Sequence, residues 1–340
     1  MNRPSQTLHQ DSFSATQTDS TKEITHLSRP ISAGFPSPAA DYTDEGLDLN
    51  SYLVRRKRPN RPSVDKTFVS FFAMSASAAL AAALLLTQPA WALQPLVTDD
   101  SGTQGQGGHQ IELSYAHSRE TLSAAAGMTV QRDIPLVLTT GFSDALDIYV
   151  AATEQQILIS GAATNSRERG WGNIAIGAKW RFHENKNSGL SLGFKPEVRL
   201  PVSQGHETRG LGTGRTSYGA TLIATQETGF GELHFNLALG RVNYSDQVIK
   251  DAARSEQYRV SMAPVWGVSE KFKLALDLGV MTNEDRAQNK TMGYVELGAV
   301  YSPTDQIDLA LGVIGTTKTT PAASDAKTTQ VLLGLTWRFK

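Results

Sequence analysis

Large apolar residues recur at every second position through most of the chain beyond residue 108, most clearly at its end. Val331, Leu333, Leu335, Trp337 and Phe339 share one face of an extended segment, with Leu332, Gly334, Thr336 and Arg338 on the other. A period of two marks a strand, because successive side chains point to opposite sides of the pleat. The same alternation predicts strands over 109–118, 129–140, 145–156, 172–182, 189–200, 216–226, 231–241, 256–267, 271–281, 291–301 and 306–315 ahead of the last. These segments have about the ten residues that a tilted strand needs to cross a bilayer. Pro196 removes a backbone donor and predicts a bulge or weak pairing in its strand, and Pro264 predicts a slip of register.

The connections sort into two kinds. Those at 142–144, 183–188, 228–230, 269–270 and 302–306 are short, and those between them are longer and more polar. Short turns on one side, long loops on the other and an even strand number describe a barrel. A soluble sandwich also alternates, but needs neither this asymmetry nor an apolar face with no second sheet to cover it. A sheet can stand in hydrocarbon only if closed, since every backbone polar group must be paired. The fold class expected is therefore all-β, a transmembrane antiparallel up-and-down barrel of about 12 strands over 108–340.

The N-terminal third reads differently. Residues 1–66 are polar and Pro-containing, too poor in large apolar side chains to offset ordering entropy, and read as a disordered extension. Residues 67–92 read as a signal peptide: an uncharged run from Phe68 to Leu86 follows several Arg and Lys, and Ala90-Trp91-Ala92 supplies the small-residue cleavage pattern. Such a late signal implies either an unusual leader or a translation start downstream of Met1, with Val64 a candidate. Residues 93–107 are expected to form a periplasmic segment ahead of the barrel. Location in a bacterial outer membrane follows from export plus barrel.

Composition narrows the chemistry. Lys plus Arg total 32 against 33 Asp plus Glu, so no nucleic-acid partner is indicated. There is no cysteine, which removes disulfides and cysteine nucleophiles. The stretch from Gly210 to Gly219 lacks the Gly-Lys-Ser/Thr ending of a phosphate loop and reads as a flexible external loop. His183-Glu184 has no second histidine at zinc-protease spacing and reads as a polar turn. His234, inside a strand on the inner face, would need a serine and an orienting partner to serve a barrel hydrolase. No catalytic, metal or cofactor residue is expected.

What remains is the inner face. Lys179, Arg181, Lys195, Glu197, Arg199, His234, Lys273, Asp277, Glu296, Asp308 and Arg338 are the candidate lumen-lining residues. Either opposite charges pair and plug the barrel, because unpaired buried charge is costly, or they ring a wetted pore and tune its selectivity.

Pro95-Leu96-Val97-Thr98-Asp99-Asp100-Ser101-Gly102-Thr103-Gln104-Gly105, the Gly-Phe-Ser-Asp-Ala-Leu turn before Ile148, Gly172 to Phe182, Gly210 to Gly214 with Ser217-Tyr218-Gly219, and the Thr-Trp-Arg-Phe ending resemble a bacterial family. That family is described as a putative MetA-pathway of phenol degradation protein. The resemblance covers about residues 95–340 and implies an outer-membrane channel-like barrel with a link to aromatic catabolism. The function expected is passive passage of small solutes, hydrophobic or aromatic ones included. The alternatives are a non-conducting barrel whose loops bind a ligand, and a barrel lipid hydrolase. The partners expected are the bilayer, the barrel-assembly machinery and a small-molecule solute.

Overall fold

The computed structural model describes residues 94–121, 128–160, 165–287, 289–316 and 327–340. The expected extension, the signal peptide and its cleavage positions Ala90 and Ala92 lie outside them. The strands are β1 (His109–Thr121), β2 (Met128–Ser143), β3 (Leu146–Ser160), β4 (Asn165–Trp171), β5 (Ala175–Asn185), β6 (Leu190–Arg199), β7 (Ser217–Thr228), β8 (Gly231–Arg241), β9 (Glu256–Ser269), β10 (Phe272–Thr282), β11 (Thr291–Thr304), β12 (Ile307–Thr316) and β13 (Lys327–Phe339). Successive strands pair antiparallel, and β1 pairs with β13 from His109–Phe339 to Thr121–Lys327, which closes the ring. No helix among the described residues is long and apolar enough to cross a membrane. The crossing is made by strands.

The barrel has twelve strands plus one extra. β4 and β5 both pair with β3, β4 along Glu154–Ser160 and β5 along Leu146–Ala151. They are two pieces of one crossing, broken where Asn173 turns aside to donate to the carbonyls of Leu200 and Thr213. The alternation had suggested a single strand starting at 172, because β4 (Asn-Ser-Arg-Glu-Arg-Gly-Trp) has almost no apolar face to read.

The two faces fall as the alternation predicts. Leu113, Ile134, Ile148, Trp180, Leu237, Leu297 and Leu333 are among the large apolar side chains left exposed on the outside. Their in-between neighbours, such as Glu112, Asp147, Lys195, His234, Asp277 and Glu296, are buried within. That inversion of the soluble pattern suits a barrel whose surroundings are hydrocarbon. Around the short-turn end runs an aromatic girdle, with ring pairs Trp180–Phe182 at 5.7 Å, Phe230–Trp266 at 6.1 Å and Trp337–Phe339 at 4.7 Å.

Three prolines mark the ladders. Pro135 pairs with Thr153, Pro196 with Ala220 and Pro264 with Leu233, each on one side only. On the other side the ladder is interrupted, since a proline has no N–H to give. Pro196 thus weakens the β5–β6 pairing as expected. The expected slip at Pro264 does not occur: the register of β9 on β10 is the same at Ala275–Val265 and Leu278–Met262, and shifts only at the turn, between Phe272 and Lys273. A missing donor costs a hydrogen bond without moving the strand.

At the opposite end the long loops brace one another. α1 (Gln204–Glu207) and α2 (Gln247–Ala252) are short turns of helix capped by Ser203 and Asp246. Glu207 is 1% exposed and accepts from the backbone N–H groups of Gly214, Ser245 and Asp246, at 2.9 Å each, and from the Ser245 hydroxyl. Arg254 likewise ties the β8–β9 loop to the carbonyls of Asn283 and Asp285. Tyr244, Val242 and Ala253 bury a small core beneath. Burial and the nearby Glu284 and Glu207 carboxylates push the Tyr244 phenol well above its usual pKa. The stretch expected to be a flexible loop is packed: Leu211 is fully buried against Ile157.

Candidate functional site

The N-terminal segment, expected in the periplasm, lies inside the barrel. Residues 94–104 run through the lumen, bonded to strands far away in sequence. Val97 N–H donates to Glu296 Oε2 (3.2 Å), and Thr98 N–H to Asp277 Oδ2 (2.6 Å). Thr98 Oγ1 donates to Asp277 Oδ1 at 2.7 Å and lies 2.8 Å from Ser261 Oγ. The Asn236 amide, turned to satisfy both groups, pairs with the backbone N–H and carbonyl of Asp99. Ser101 N–H donates to Thr225 Oγ1 at 3.1 Å. A polar strand of chain has to satisfy its backbone wherever it lies, and the polar inner wall supplies the partners that hydrocarbon would not.

The centre of this arrangement is Asp99, whose side chain is 4% exposed. Lys195 Nζ donates to its Oδ2 at 2.5 Å and Lys179 Nζ to its Oδ1 at 3.1 Å. Lys179 also donates to the Asp100 carbonyl at 3.3 Å. A turn then leads out to β1. Gly105 and Gly107 adopt φ of 72° and 73°, a conformation L side chains disfavour, and Gly107 N–H and Gly108 O bond to Gly141.

The predicted lumen residues divide into groups. Glu197 accepts from Tyr149 Oη (2.9 Å) and Arg199 Nε (2.7 Å). Arg338 reaches Asp308 at 2.6 Å and Gln110 at 3.1 Å, on the short-turn side. Lys273 stands 3.8 Å from Glu232 at the same mouth. Arg181 bonds the Asp144 carbonyl and pairs with Glu184 at 3.5 Å, so His183-Glu184 belongs to the end of β5 and not to a turn. Asp277 and Glu296 hold the inner segment. His234 is fully buried, its Nδ1 3.0 Å from Thr225 Oγ1 and its Nε2 without a hydrogen-bond partner among the described residues. Among the described residues no serine hydroxyl is hydrogen-bonded to it.

Sequence reasoning passed over Tyr149 and Tyr294, which do much of the ordering. Tyr149 lies flat on Gly177, its cross-strand partner, where a Cβ would come within 2.3 Å of the ring. Tyr294 covers Gly279 in the same way and donates to Asp277 at 2.9 Å. A glycine opposite an inward tyrosine was the available signal.

Three cavities share lining residues in turn, the first bordered by β1, β5, β8, β10, β12 and β13, the second by β1, β2, β3, β5 and β6, and the third by β3 and β6 to β10. One of about 980 Å³, open solvent space included, is lined at the short-turn mouth by Asp100, Gln104, Glu112, Lys179, Lys273 and Arg338. One of about 330 Å³ shares Gln104, Glu112 and Lys179 with it and adds Asp147, Tyr149 and Lys195. The third, about 820 Å³, shares Tyr149 and Lys195 with the second and rises to Thr282, Val242 and Arg199 near the long-loop end. Between the second and third cavities Lys195 Nζ sits 5.0 Å from the centre of the Tyr149 ring.

A closed ring with an apolar belt, an aromatic girdle and a polar, cavity-bearing interior defines a β-barrel of the outer-membrane kind. The fold is that of the COG4313 outer membrane channel from Pseudomonas putida F1, with a TM-score of 0.57 at 14% identity over 71% of this chain and 98% of that one. The transport unit of the autotransporter AIDA-I from Escherichia coli is less similar, with a TM-score of 0.46 and 11% identity over 78% of this chain and 99% of that one. This chain belongs to the family described as "Putative MetA-pathway of phenol degradation", matched over residues 98–339. The match begins inside the lumenal segment. A stretch of 24 residues, 7% of this chain, is 79% identical to part of protein SamA of Salmonella typhimurium, and the chain spans only 17% of that protein's length.

Proposed function

We propose that the protein is a passive channel for small solutes, with the segment 94–104 as a built-in constriction. The observation that carries this reading is the series of three cavities sharing lining residues from one mouth to the other. Twelve strands enclose a space between the side-chain-filled eight and the open sixteen, and the inner segment reduces it further. Solute would pass between that segment and the wall, meeting Lys179 and Glu112, then Tyr149 and Lys195. A passage so lined favours small polar solutes, or aromatics bearing hydroxyl or carboxyl groups, over bare hydrocarbons, whose entry would strand the charged wall without water. The lumen residues predicted from sequence would act mainly as paired charges that fix the width. Delivery to the membrane would use the barrel-assembly machinery.

Single-channel recording of the refolded protein in planar bilayers tests this. Small, steady conductance with passage of small solutes into swelling vesicles is expected, and absence of any current would refute it. A non-conducting barrel is the second reading, favoured by the loops that Glu207 binds together, and it predicts that silence.

A further inference from the structure

Arg259 feels the charges of Asp277 and Asp99 but donates no side-chain hydrogen bond in the networks described above. It projects from β9 into the cavity below the long loops and is 6% exposed. Its Nε–H meets no acceptor among the described residues, and it enters none of the lumen ion pairs found there. Its neighbours explain this. Across the ladders it faces Ala238 on β8 and Met281 on β10, neither of which can accept. The nearby carboxylates are engaged elsewhere: Asp277 with Thr98 and Tyr294, Glu197 with Arg199 and Tyr149, Asp99 with the two lysines. The charged lining of this cavity is Lys195, Arg199, Arg241 and Arg259 against Asp99 and Glu197, an excess of two cations.

A guanidinium so enclosed is costly to keep ionised unless an anion answers it, and it does not deprotonate. A carboxylate matches its planar fork with two parallel hydrogen bonds. Around it the wall is apolar and small, with Ala238, Val242 and Met281 beside the Thr221 hydroxyl. We propose that this cavity is a binding subsite for a small carboxylate with an apolar body, such as an aromatic carboxylate, and that Arg259 holds its carboxyl group. The channel reading enters only as the ligand's route of arrival.

The test is calorimetric titration of the folded protein in detergent micelles, where both mouths face the buffer, with benzoate and with its neutral counterpart benzyl alcohol. Saturable benzoate binding well above that of the alcohol is expected. Arg259→Gln is expected to weaken benzoate about tenfold to a hundredfold and leave the alcohol unchanged, since one charge-assisted pair is lost. Arg259→Lys, which keeps the charge but not the fork, falls between and serves if the glutamine variant does not fold. Heat-dependent gel mobility reports folding for each. Equal affinity for acid and alcohol, no benzoate binding, or affinity indifferent to both substitutions would overturn the site. Current without benzoate binding removes the site and leaves the channel. Benzoate binding without current does the reverse.

Discussion

Replacing Asp99 with alanine should open the barrel. Asp99 is the only described carboxylate that both Lys179 and Lys195 reach within 3.1 Å, and the lysine side chains are 13% and 6% exposed. Removing one partner from a buried ion pair generally costs about 3–5 kcal/mol, because the remaining charge is left without compensation. Here the barrel can escape the penalty by letting the inner segment leave and water enter. At about 1.4 kcal/mol per tenfold, the docked arrangement should lose a factor of roughly a hundred to a few thousand. The anchors at Val97 and Thr98 remain, so residues 99–104 should loosen first. Single-channel conductance in planar bilayers should rise and flicker, and the segment should become a protease target in the folded barrel. Asp99→Asn, which keeps the shape but loses the charge, should do so to a lesser degree. If Asp99→Ala folds, as judged by gel mobility, and its conductance and protease pattern match the parent, the inner segment does not control the passage and the reasoning fails.

Other expectations concern the wall. Tyr149→Ala should raise conductance by removing the ring that borders both the second and third cavities, and unchanged current would place the constriction elsewhere. Gly177→Ala should drive the Tyr149 ring off the wall, since its Cβ would lie 2.3 Å away, so conductance should fall while folding yield drops modestly; the double variant with Tyr149→Ala should recover the current. Leu297→Arg, 64% exposed on the outer face, should cost about 2–4 kcal/mol if it lies near the midplane, measured by urea titration of folding into vesicles. A neutral effect there would mean that the outward face had been misassigned.

The barrel was legible because period-two alternation is strong wherever one face meets lipid. Phe272, Leu274 and Leu278 against Lys273, Ala275 and Asp277 leave little room for another reading. What escaped has physical reasons. The lumenal segment is polar and short, and its partners lie up to 199 residues away, so nothing local distinguishes it from a solvated linker. β4 pairs through its backbone and shows little apolar periodicity. Pro264 looked like a reason for slippage, but pairing on both sides of the gap keeps the register. Arg259 stood in a predicted strand between Tyr258 and Val260, so its inward direction was readable, yet its lack of a partner depends on Ala238 and Met281 across the ladders. The one lumen histidine could be placed, but not its Thr225 neighbour.

The glycine turn at Gly105–Gly108 sets the side from which the passage can be altered. The inner segment hangs from the short-turn rim, pinned there by Gly141 and continuous with the first strand of the wall. Were its eleven residues, about 36–40 Å at full stretch, to leave the lumen, they would do so past that rim and away from the braced long loops. Any control of permeability built this way would act from the short-turn end of the barrel.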